Sequence, residues 1–193
     1  MIKLTTKELL KMSPQEFSGK LIAFATDTVF GVGAMYDDHF LTAQTKIFQM
    51  KQRDASKPLA VLVSSFEQIS PHVVLNEKIN DLTKYWPGAL TIIFKTNDDY
   101  FDKIAHNGSI GIRIPNCASA QAILNHLGVM ATTSINKSGE APLNDISLIE
   151  EHFASFIDYL VIDEYASSGK SSTVVDARTL PYQIIRLGEI KIN

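Results

Sequence analysis

The sequence predicts an α/β fold: a single domain built on one mixed β-sheet with flanking helices. Short apolar runs rich in β-branched residues recur along the chain, as expected of buried strands. Segments of helical periodicity lie between most of these runs, which is the alternation of an α/β fold. The runs at 90–94 and 110–114 follow each other without an obvious helix, and so do the last two runs, which favours a mixed rather than a purely parallel sheet.

Seven apolar runs are predicted as strands: LIAFAT (21–26), LAVLV (59–63), LTIIF (90–94), IGIRI (110–114), YLVI (159–162), STVV (172–175) and QIIRL (183–187). Four segments are predicted as helices: LTAQTKIFQM (41–50), NEKINDLTKYW (76–86), ASAQAILNHLG (118–128) and ISLIEEHF (146–153). The stretch MIKLTTKELLKMSPQEF (1–17) is also predicted as a short amphipathic helix, because Thr5 and Glu8 have the spacing of a capping box.

Composition sets the broad class of the protein. The chain has 193 residues, of which 45% are hydrophobic and 20% charged, so we expect one domain over residues 1–193. Lys and Arg total 18 against 21 Asp and Glu, and a net charge of -3 excludes a global positive field that would hold nucleic acid non-specifically. Cys117 is the only cysteine, which excludes an intrachain disulfide and is typical of a reducing compartment. No apolar run approaches the roughly 20 residues needed to cross a bilayer, and we expect a cytoplasmic protein without membrane contact.

A cluster of cations lies on the connection between the first long helix and the next strand. Lys51 and Arg53 end the helical segment, and Lys57 precedes the strand LAVLV. Three converging cations suit a triphosphate better than a single carboxylate. The alternative is a solvated helix end whose cations only complement the helix dipole.

Polar residues follow the first predicted strand at FATDTVFGVGAM. Thr26, Asp27 and Thr28 come directly after the apolar run, and Gly31 and Gly33 follow them. Small hydroxyls and backbone amides brought together in this way suit a small polar ligand at the carboxyl end of a strand. The alternative is a turn that contains two glycines.

Arg113 lies inside an apolar strand and therefore needs a partner. It alternates with Ile112 and Ile114, so its side chain should project from the opposite face of the sheet, toward a ligand or an internal carboxylate.

Two hydroxyl-rich stretches lie further along the chain. The first includes Ser134 and Asn136 and enters the loop NKSGEAPLND (136–145), which is of a kind that is usually functional or mobile. The second includes Ser172 and is followed by a second strand arginine, Arg186.

The sequence lacks the usual signs of covalent or metal catalysis. The five histidines share no metal-ligand spacing, and neither a G-x-S-x-G motif nor a Ser/His/Asp set is evident. We therefore expect no catalytic nucleophile, and chemistry that depends on positioning and charge neutralisation around phosphates.

Taken in order, six stretches resemble the motifs of the YrdC/TsaC family of L-threonylcarbamoyladenylate synthases. Those motifs read approximately PTDTVYGLG, K-x-R near KPL, G-x-x-x-R-x-P, TSAN-x-SG, STIVD and LR-x-G. The stretches of this chain are ATDTVFGVG (25–33), KQRDASKPL (51–59), SIGIRIP (109–115), TSINKSG (133–139), STVVD (172–176) and IRLG (185–188). The resemblance runs from about residue 20 to the C-terminus.

The resemblance implies a twisted sheet with a concave cationic cleft, in which L-threonine, bicarbonate or CO2, and ATP with Mg²⁺ form threonylcarbamoyl-AMP and pyrophosphate. The product would serve the modification of an adenosine next to the tRNA anticodon, with transient contact to tRNA and to the proteins that transfer the threonylcarbamoyl group. By motif position, the residues implied on the ATP side are Lys51, Arg53, Lys57, Ser109, Asn136 and Arg186. The residues implied on the threonine side are Thr28, Arg113, Ser134 and Ser172.

Several positions differ from the family's usual pattern, among them Phe30 and Ile135. Phe30 stands where the family has tyrosine, which removes a hydroxyl. Ile135 stands where the family has alanine, and its added bulk is expected to narrow the pocket. Neither change removes a cation or a proposed hydroxyl ligand, so we expect activity to be retained.

Two alternatives remain open from the sequence. A carbamoyltransferase of the hydrogenase-maturation type shares this domain and makes a carbamoyl adenylate, but it adds further domains and cysteine-rich zinc segments. An RNA-binding module could use the same cleft, although the net charge of -3 and the lack of aromatic stacking motifs oppose it.

Overall fold

The computed structural model describes residues 1–52, 54, 57–163 and 167–192. Within these residues ten strands form one sheet. They are β1 (Ile2–Leu4), β2 (Ile22–Phe24), β3 (Gly31–Met35), β4 (Ala60–Leu62), β5 (Leu90–Lys95), β6 (Ser109–Arg113), β7 (Met130–Ser134), β8 (Tyr159–Val161), β9 (Thr173–Asp176) and β10 (Gln183–Arg186). The α-helices are α1 (Thr6–Leu9), α2 (Phe40–Lys51), α3 (Ile79–Thr83), α4 (Ala118–Leu127) and α5 (Ile146–Phe153). Short 3₁₀ helices cover Pro14–Phe17, Phe66–Gln68 and Ser70–His72.

The sheet is mixed, as the sequence predicted. Its strands lie side by side in the order β1-β8-β2-β3-β7-β4-β6-β5-β9-β10. The pairs β1–β8, β2–β8, β4–β6 and β5–β9 are parallel, and the remaining neighbours are antiparallel. The two junctions predicted to lack a helix, β5–β6 and β9–β10, are both antiparallel.

Alternation along the strands divides the apolar residues between the two faces of the sheet. In β2, Ala23 belongs to the larger core cluster, whereas Ile22 and Phe24 belong to the smaller one. Buried residues of α2, α3 and α5 pack into the larger cluster, and buried residues of α1 and α4 pack into the smaller one. Leu62 belongs to the smaller cluster and also lines a cavity. On this face of the sheet, α1 and α4 therefore cover one part and leave the other part open.

The N-terminal prediction needs a correction. Residues 2–4 form strand β1, and the helix is confined to Thr6–Leu9. The capping box is confirmed, because the Glu8 amide donates to Thr5 Oγ1 at 3.3 Å and the Thr5 amide donates to Glu8 Oε2 at 2.7 Å. Parallel pairing with β8 gives the first residues hydrogen-bond partners that a helix would otherwise supply.

Two strands near the middle of the sheet, β3 and β7, were not predicted. Gly31 and Gly33 suggested a turn, and the hydroxyls of β7 suggested the entry to a loop. The sheet needs small residues here: a Cβ added at Gly33 would lie 2.8 Å from the carbonyl oxygen of Ala131 and 2.9 Å from Thr132 Oγ1. Close packing between neighbouring strands therefore outweighs the low strand propensity of glycine.

None of the helices in the described part of the chain is long and apolar enough to span a bilayer.

Candidate functional site

A cavity of about 530 Å³ lies over the part of the sheet that α1 and α4 leave open. Its walls come from the strands between β3 and β10 and from the segment after β2. The lining residues that carry polar side chains are Thr26, Thr28, Thr91, His106, Ser109, Arg113, Thr132, Thr133, Ser134, Ser171, Ser172 and Arg186. The ionisable side chains within this described lining are one histidine and two arginines, so the cavity suits anionic ligands.

The floor of the cavity is made of small residues in register across three strands. Gly111 of β6 pairs with Ala60 of β4, and Ala60 pairs with Thr132 of β7. These residues all line the cavity. Because their side chains are short, the middle of the sheet remains accessible, while larger polar groups stand around its edge.

Arg113, at the end of β6, is held by acceptors from three directions. Its Nε donates to the carbonyl oxygen of Gly88 at 3.0 Å, Nη1 donates to Thr28 Oγ1 at 2.6 Å, and Nη2 donates to Asp27 Oδ1 at 2.5 Å. A guanidinium has more N–H groups than these acceptors use, so it can still donate to a ligand. The internal carboxylate and the cavity, which the sequence offered as alternatives, both lie at this arginine.

Burial shifts the proton equilibrium of this arginine. Its side chain is only 7% exposed, and desolvation lowers the pKa of Arg113 below its ordinary value. The negative charge and hydrogen bond of Asp27 oppose that effect. Asp27 thus compensates a buried positive charge at the cavity wall.

The segment that carries Asp27 is fixed by its own hydroxyls and by a neighbouring loop. Thr26 Oγ1 donates to the carbonyl oxygen of Val29 at 2.7 Å and lies 3.0 Å from Thr28 Oγ1. Ser167 Oγ and the amide of Gly169 both donate to the carbonyl oxygen of Thr28, at 2.7 and 2.8 Å. The backbone of Thr28 is therefore held in place while its hydroxyl accepts the hydrogen bond from Arg113.

A second part of the cavity wall is built around Ser172. Its hydroxyl lies 2.8 Å from Thr91 Oγ1 of β5, and Arg186 Nη2 of β10 donates to its carbonyl oxygen at 2.9 Å. Desolvation lowers the pKa of Arg186 from its ordinary value. Two guanidinium groups, those of Arg113 and Arg186, therefore line one cavity.

Lys51, at the end of α2, is outside the cavity lining and contacts the end of β7, which carries the lining residue Ser134. Its side chain is buried, and Nζ donates to the carbonyl oxygens of Ser134 and Asn136 at 2.7 and 3.0 Å and to Asn136 Oδ1 at 2.9 Å. The amide of Ser138 in turn donates to the carbonyl oxygen of Lys51 at 2.8 Å. These three acceptors match the three N–H groups of an ammonium, and the hydrogen bonds hold the chain where β7 leaves the sheet.

The structure brings together six of the ten residues assigned by resemblance, all in the cavity lining: Thr28, Ser109, Arg113, Ser134, Ser172 and Arg186. Lys51, Lys57 and Asn136 are not part of the lining, although Pro58 and Leu59 beside Lys57 are. Arg53 lies outside the described residues. The assignment of individual residues to ATP or to threonine stays a prediction.

Among the polar residues at this site, Asp27 and Thr91 make contacts that sequence reasoning did not anticipate. Asp27 could have been recognised as the lone carboxylate among hydroxyls in ATDT, immediately after a strand. Thr91 could have been recognised from alternation, since it and Ile93 share the cavity face of β5. Their contacts with Arg113 and Ser172 depend on strand order, which the sequence did not provide.

The expectation for Ile135 is wrong. Ile135 is fully buried in the larger core cluster and does not line the cavity, so its bulk does not narrow the pocket. Phe30 is likewise fully buried in that cluster.

The chain resembles known proteins over most of its length. The family model for Sua5, YciO and YrdC proteins, described as "Telomere recombination", matches residues 17–188. A curated threonylcarbamoyl-AMP synthase from Vibrio campbellii is 30% identical over 181 residues, which cover 89% of this chain and 94% of the relative.

Two solved structures share the fold. Sua5 from P. abyssi, crystallised in complex with L-threonine, has a TM-score of 0.82 and 25% identity; the match covers 97% of this chain and 58% of that chain, so this chain spans just over half of its length. The crystal structure of E. coli YciO also has a TM-score of 0.82, with 20% identity and coverage of 97% of this chain and 93% of that chain. The single mixed sheet with flanking helices predicted from the sequence is therefore confirmed.

Proposed function

The chain belongs to the Sua5, YciO and YrdC family, and on that premise we propose that it is a threonylcarbamoyl-AMP synthase, a nucleotidyltransferase. The reaction joins L-threonine, bicarbonate or CO2, and ATP, and it releases pyrophosphate. The observation that carries the proposal is a single cavity of about 530 Å³ lined by two arginines and a ring of hydroxyls. Such a cavity can hold the phosphates of ATP and the carboxylate of an amino acid side by side, and the V. campbellii relative carries the name of this activity.

On the threonine side, Arg113 binds the carboxylate of the amino acid. Its remaining N–H groups face a cavity, and its position is fixed by Thr28, Asp27 and Gly88. Thr28, Ser134 and Ser172 add hydroxyls that suit the polar groups of a small amino acid. Consistent with this assignment, P. abyssi Sua5 has been crystallised with L-threonine.

On the nucleotide side, ATP enters as its Mg²⁺ complex, because Mg²⁺ usually keeps several waters and binds through substrate phosphates. Arg186 and Ser109 meet the nucleotide from the cavity lining, and Lys57 lies next to the lining residue Pro58. Arg53 is assigned to the nucleotide by its motif alone. Lys51 and Asn136 act beneath this surface, since their mutual hydrogen bonds hold the strand end that carries Ser134.

The chemistry needs placement rather than a protein nucleophile. A carbamate oxygen of N-carboxythreonine attacks the α-phosphorus, the bond from that phosphorus to the bridging oxygen breaks, and pyrophosphate leaves with the electron pair. Binding threonine beside the nucleotide supplies proximity, and a partly enclosed cavity protects the unstable carbamate from water.

The proposed product connects the protein to tRNA modification. We expect it to be passed to proteins that attach the threonylcarbamoyl group to the adenosine next to the anticodon, with transient contact to tRNA. A cytoplasmic location follows from this role.

Pyrophosphate release from ATP tests the proposal. The purified protein is assayed with L-threonine and bicarbonate, with each omitted in turn, and with L-serine as the control amino acid. We expect release that requires both threonine and bicarbonate and that is slower with serine. Absence of threonine-dependent release from folded protein would contradict the proposal.

A further inference from the structure

An ion pair stands at the wall of the cavity, and of its two residues the arginine belongs to the described lining. Asp27 pairs with Arg113, and its side chain is 18% exposed while that of Arg113 is 7% exposed. The residues on either side of it, Thr26 and Thr28, both line the cavity. This carboxylate is therefore a fixed negative charge within one hydrogen bond of the group that receives the ligand.

The charge balance of the Arg113–Asp27 pair determines which ligands the site favours. An isolated Arg113 would favour any small anion that reaches it. With Asp27 beside it, the two side chains sum to zero, and a bound carboxylate alone would leave one uncompensated negative charge in a poorly solvated place. A ligand that also carries a positive charge next to its carboxylate restores the balance, and an amino acid zwitterion has that arrangement.

We propose that Asp27 is a specificity residue that makes the site select an α-amino acid over an anion of the same shape, by supplying the negative charge that compensates the α-ammonium. The proposal rests on the threonine site described above and deepens it. The α-nitrogen keeps an N–H after carboxylation, so the same carboxylate can remain its acceptor when the carbamate forms.

Binding measurements with two ligands test this role without relying on turnover. The ligands are L-threonine and (2S,3R)-2,3-dihydroxybutyrate, in which a hydroxyl replaces the ammonium. Their Kd values are measured by isothermal titration calorimetry in degassed buffer with α,β-methylene-ATP, which cannot release pyrophosphate. The proteins are the wild type, Asp27→Asn, and the surface variant Asp98→Asn. In the wild type the Asp98 carboxylate pairs with His72 at 2.8 Å, and neither residue is in the described cavity lining.

We expect the wild type and Asp98→Asn to bind threonine on the order of tenfold or more tightly than the dihydroxy acid, given the strength of a charge interaction near a protein surface. In Asp27→Asn the preference should fall to about twofold or less, because threonine weakens while the anion binds equally well or better beside an uncompensated Arg113.

Two outcomes would overturn the role of Asp27. If Asp27→Asn weakens both ligands by the same factor, Asp27 only positions Arg113. If the wild type binds the dihydroxy acid as tightly as threonine, the site does not read the ammonium, and this result does not depend on the folding of any variant. Failure of the wild type to bind threonine at all would instead contradict the proposed function.

Discussion

The threonine side of the proposed site depends on the guanidinium of Arg113. Its planar fork donates to Thr28, Asp27 and Gly88 in three directions and still faces the cavity. The sequence could predict that this arginine leaves the apolar side of its strand and needs a partner. It could not identify Asp27, because the contact joins residues 86 positions apart through strands whose order was unknown.

Arg113→Lys should raise the KM for threonine at least about tenfold, because lysine keeps the charge and loses the fork that orients a carboxylate. The KM for ATP should change little. Steady-state pyrophosphate release with each substrate varied separately measures the two constants. Equal increases in both constants would show that Arg113 does not distinguish the two substrates.

Lys51 has a structural role that its motif did not suggest. Its ammonium is enclosed by acceptors from Ser134 and Asn136, so it stabilises the strand end that presents Ser134 to the cavity. Spacing along the sequence showed a cation near the end of a helix and could not show that the side chain turns into the protein.

Lys51→Met should lower the free energy of unfolding by about 2 kcal/mol or more, since it leaves buried acceptors without their donor. Lys46→Met on the same helix is the matched control, because the Lys46 side chain is 35% exposed and its ammonium lies 3.3 Å from Asp158; it should cost less than about 1 kcal/mol. Urea unfolding measures both. Equal losses in the two variants would contradict the buried role of Lys51.

Among the elements of the sheet, most strands could be predicted, but β3 and β7 near its middle and β1 at its edge could not. Strands β4, β5, β6 and β8–β10 have the apolar, β-branched composition of strands. β3 and β7 are rich in glycine, alanine and hydroxyls, because neighbouring strands approach closely here and because one face is the cavity floor. The composition that makes the site accessible is therefore also what obscured the strands.

Substitutions of two glycines should affect stability and ligand binding to different extents. Gly33→Ala should lower the free energy of unfolding by about 1–3 kcal/mol, because its Cβ would lie 2.8 Å from a backbone oxygen. Gly111→Ala should cost less stability, because its Cβ would meet Thr91 Cγ2 at an ordinary 3.4 Å, but it should weaken ligand binding by raising the cavity floor. Urea unfolding and ligand titration measure the two effects. A stable Gly33→Ala variant would contradict the close approach of β3 and β7.

At the scale of the whole molecule, a ten-stranded sheet leaves part of one face open, and the cavity there spans strands from distant parts of the sequence. The proposed substrates should therefore stabilise the entire fold. With α,β-methylene-ATP and L-threonine each at about 100 times its Kd, every occupied site adds roughly 2.7 kcal/mol. Thermal unfolding should show Tm rising by roughly 5 °C or more, and no rise with either ligand would contradict binding in this cavity.

The net charge of -3 bears on the alternative of an RNA-binding module. Positive charge in the described cavity lining comes from Arg113 and Arg186, on a mildly acidic protein. This distribution suits two small substrates that carry phosphate or carboxylate groups better than an extended phosphate backbone.

Mass spectrometry of the adenylate formed from ATP, L-threonine and ¹³C-bicarbonate is the most direct test that this protein makes threonylcarbamoyl-AMP. The expected result is an adenylate with the mass of threonylcarbamoyl-AMP, heavier by one mass unit with the labelled bicarbonate than with unlabelled bicarbonate, and absent without threonine. Folded protein that binds ATP and threonine but yields no labelled adenylate would contradict the proposed activity.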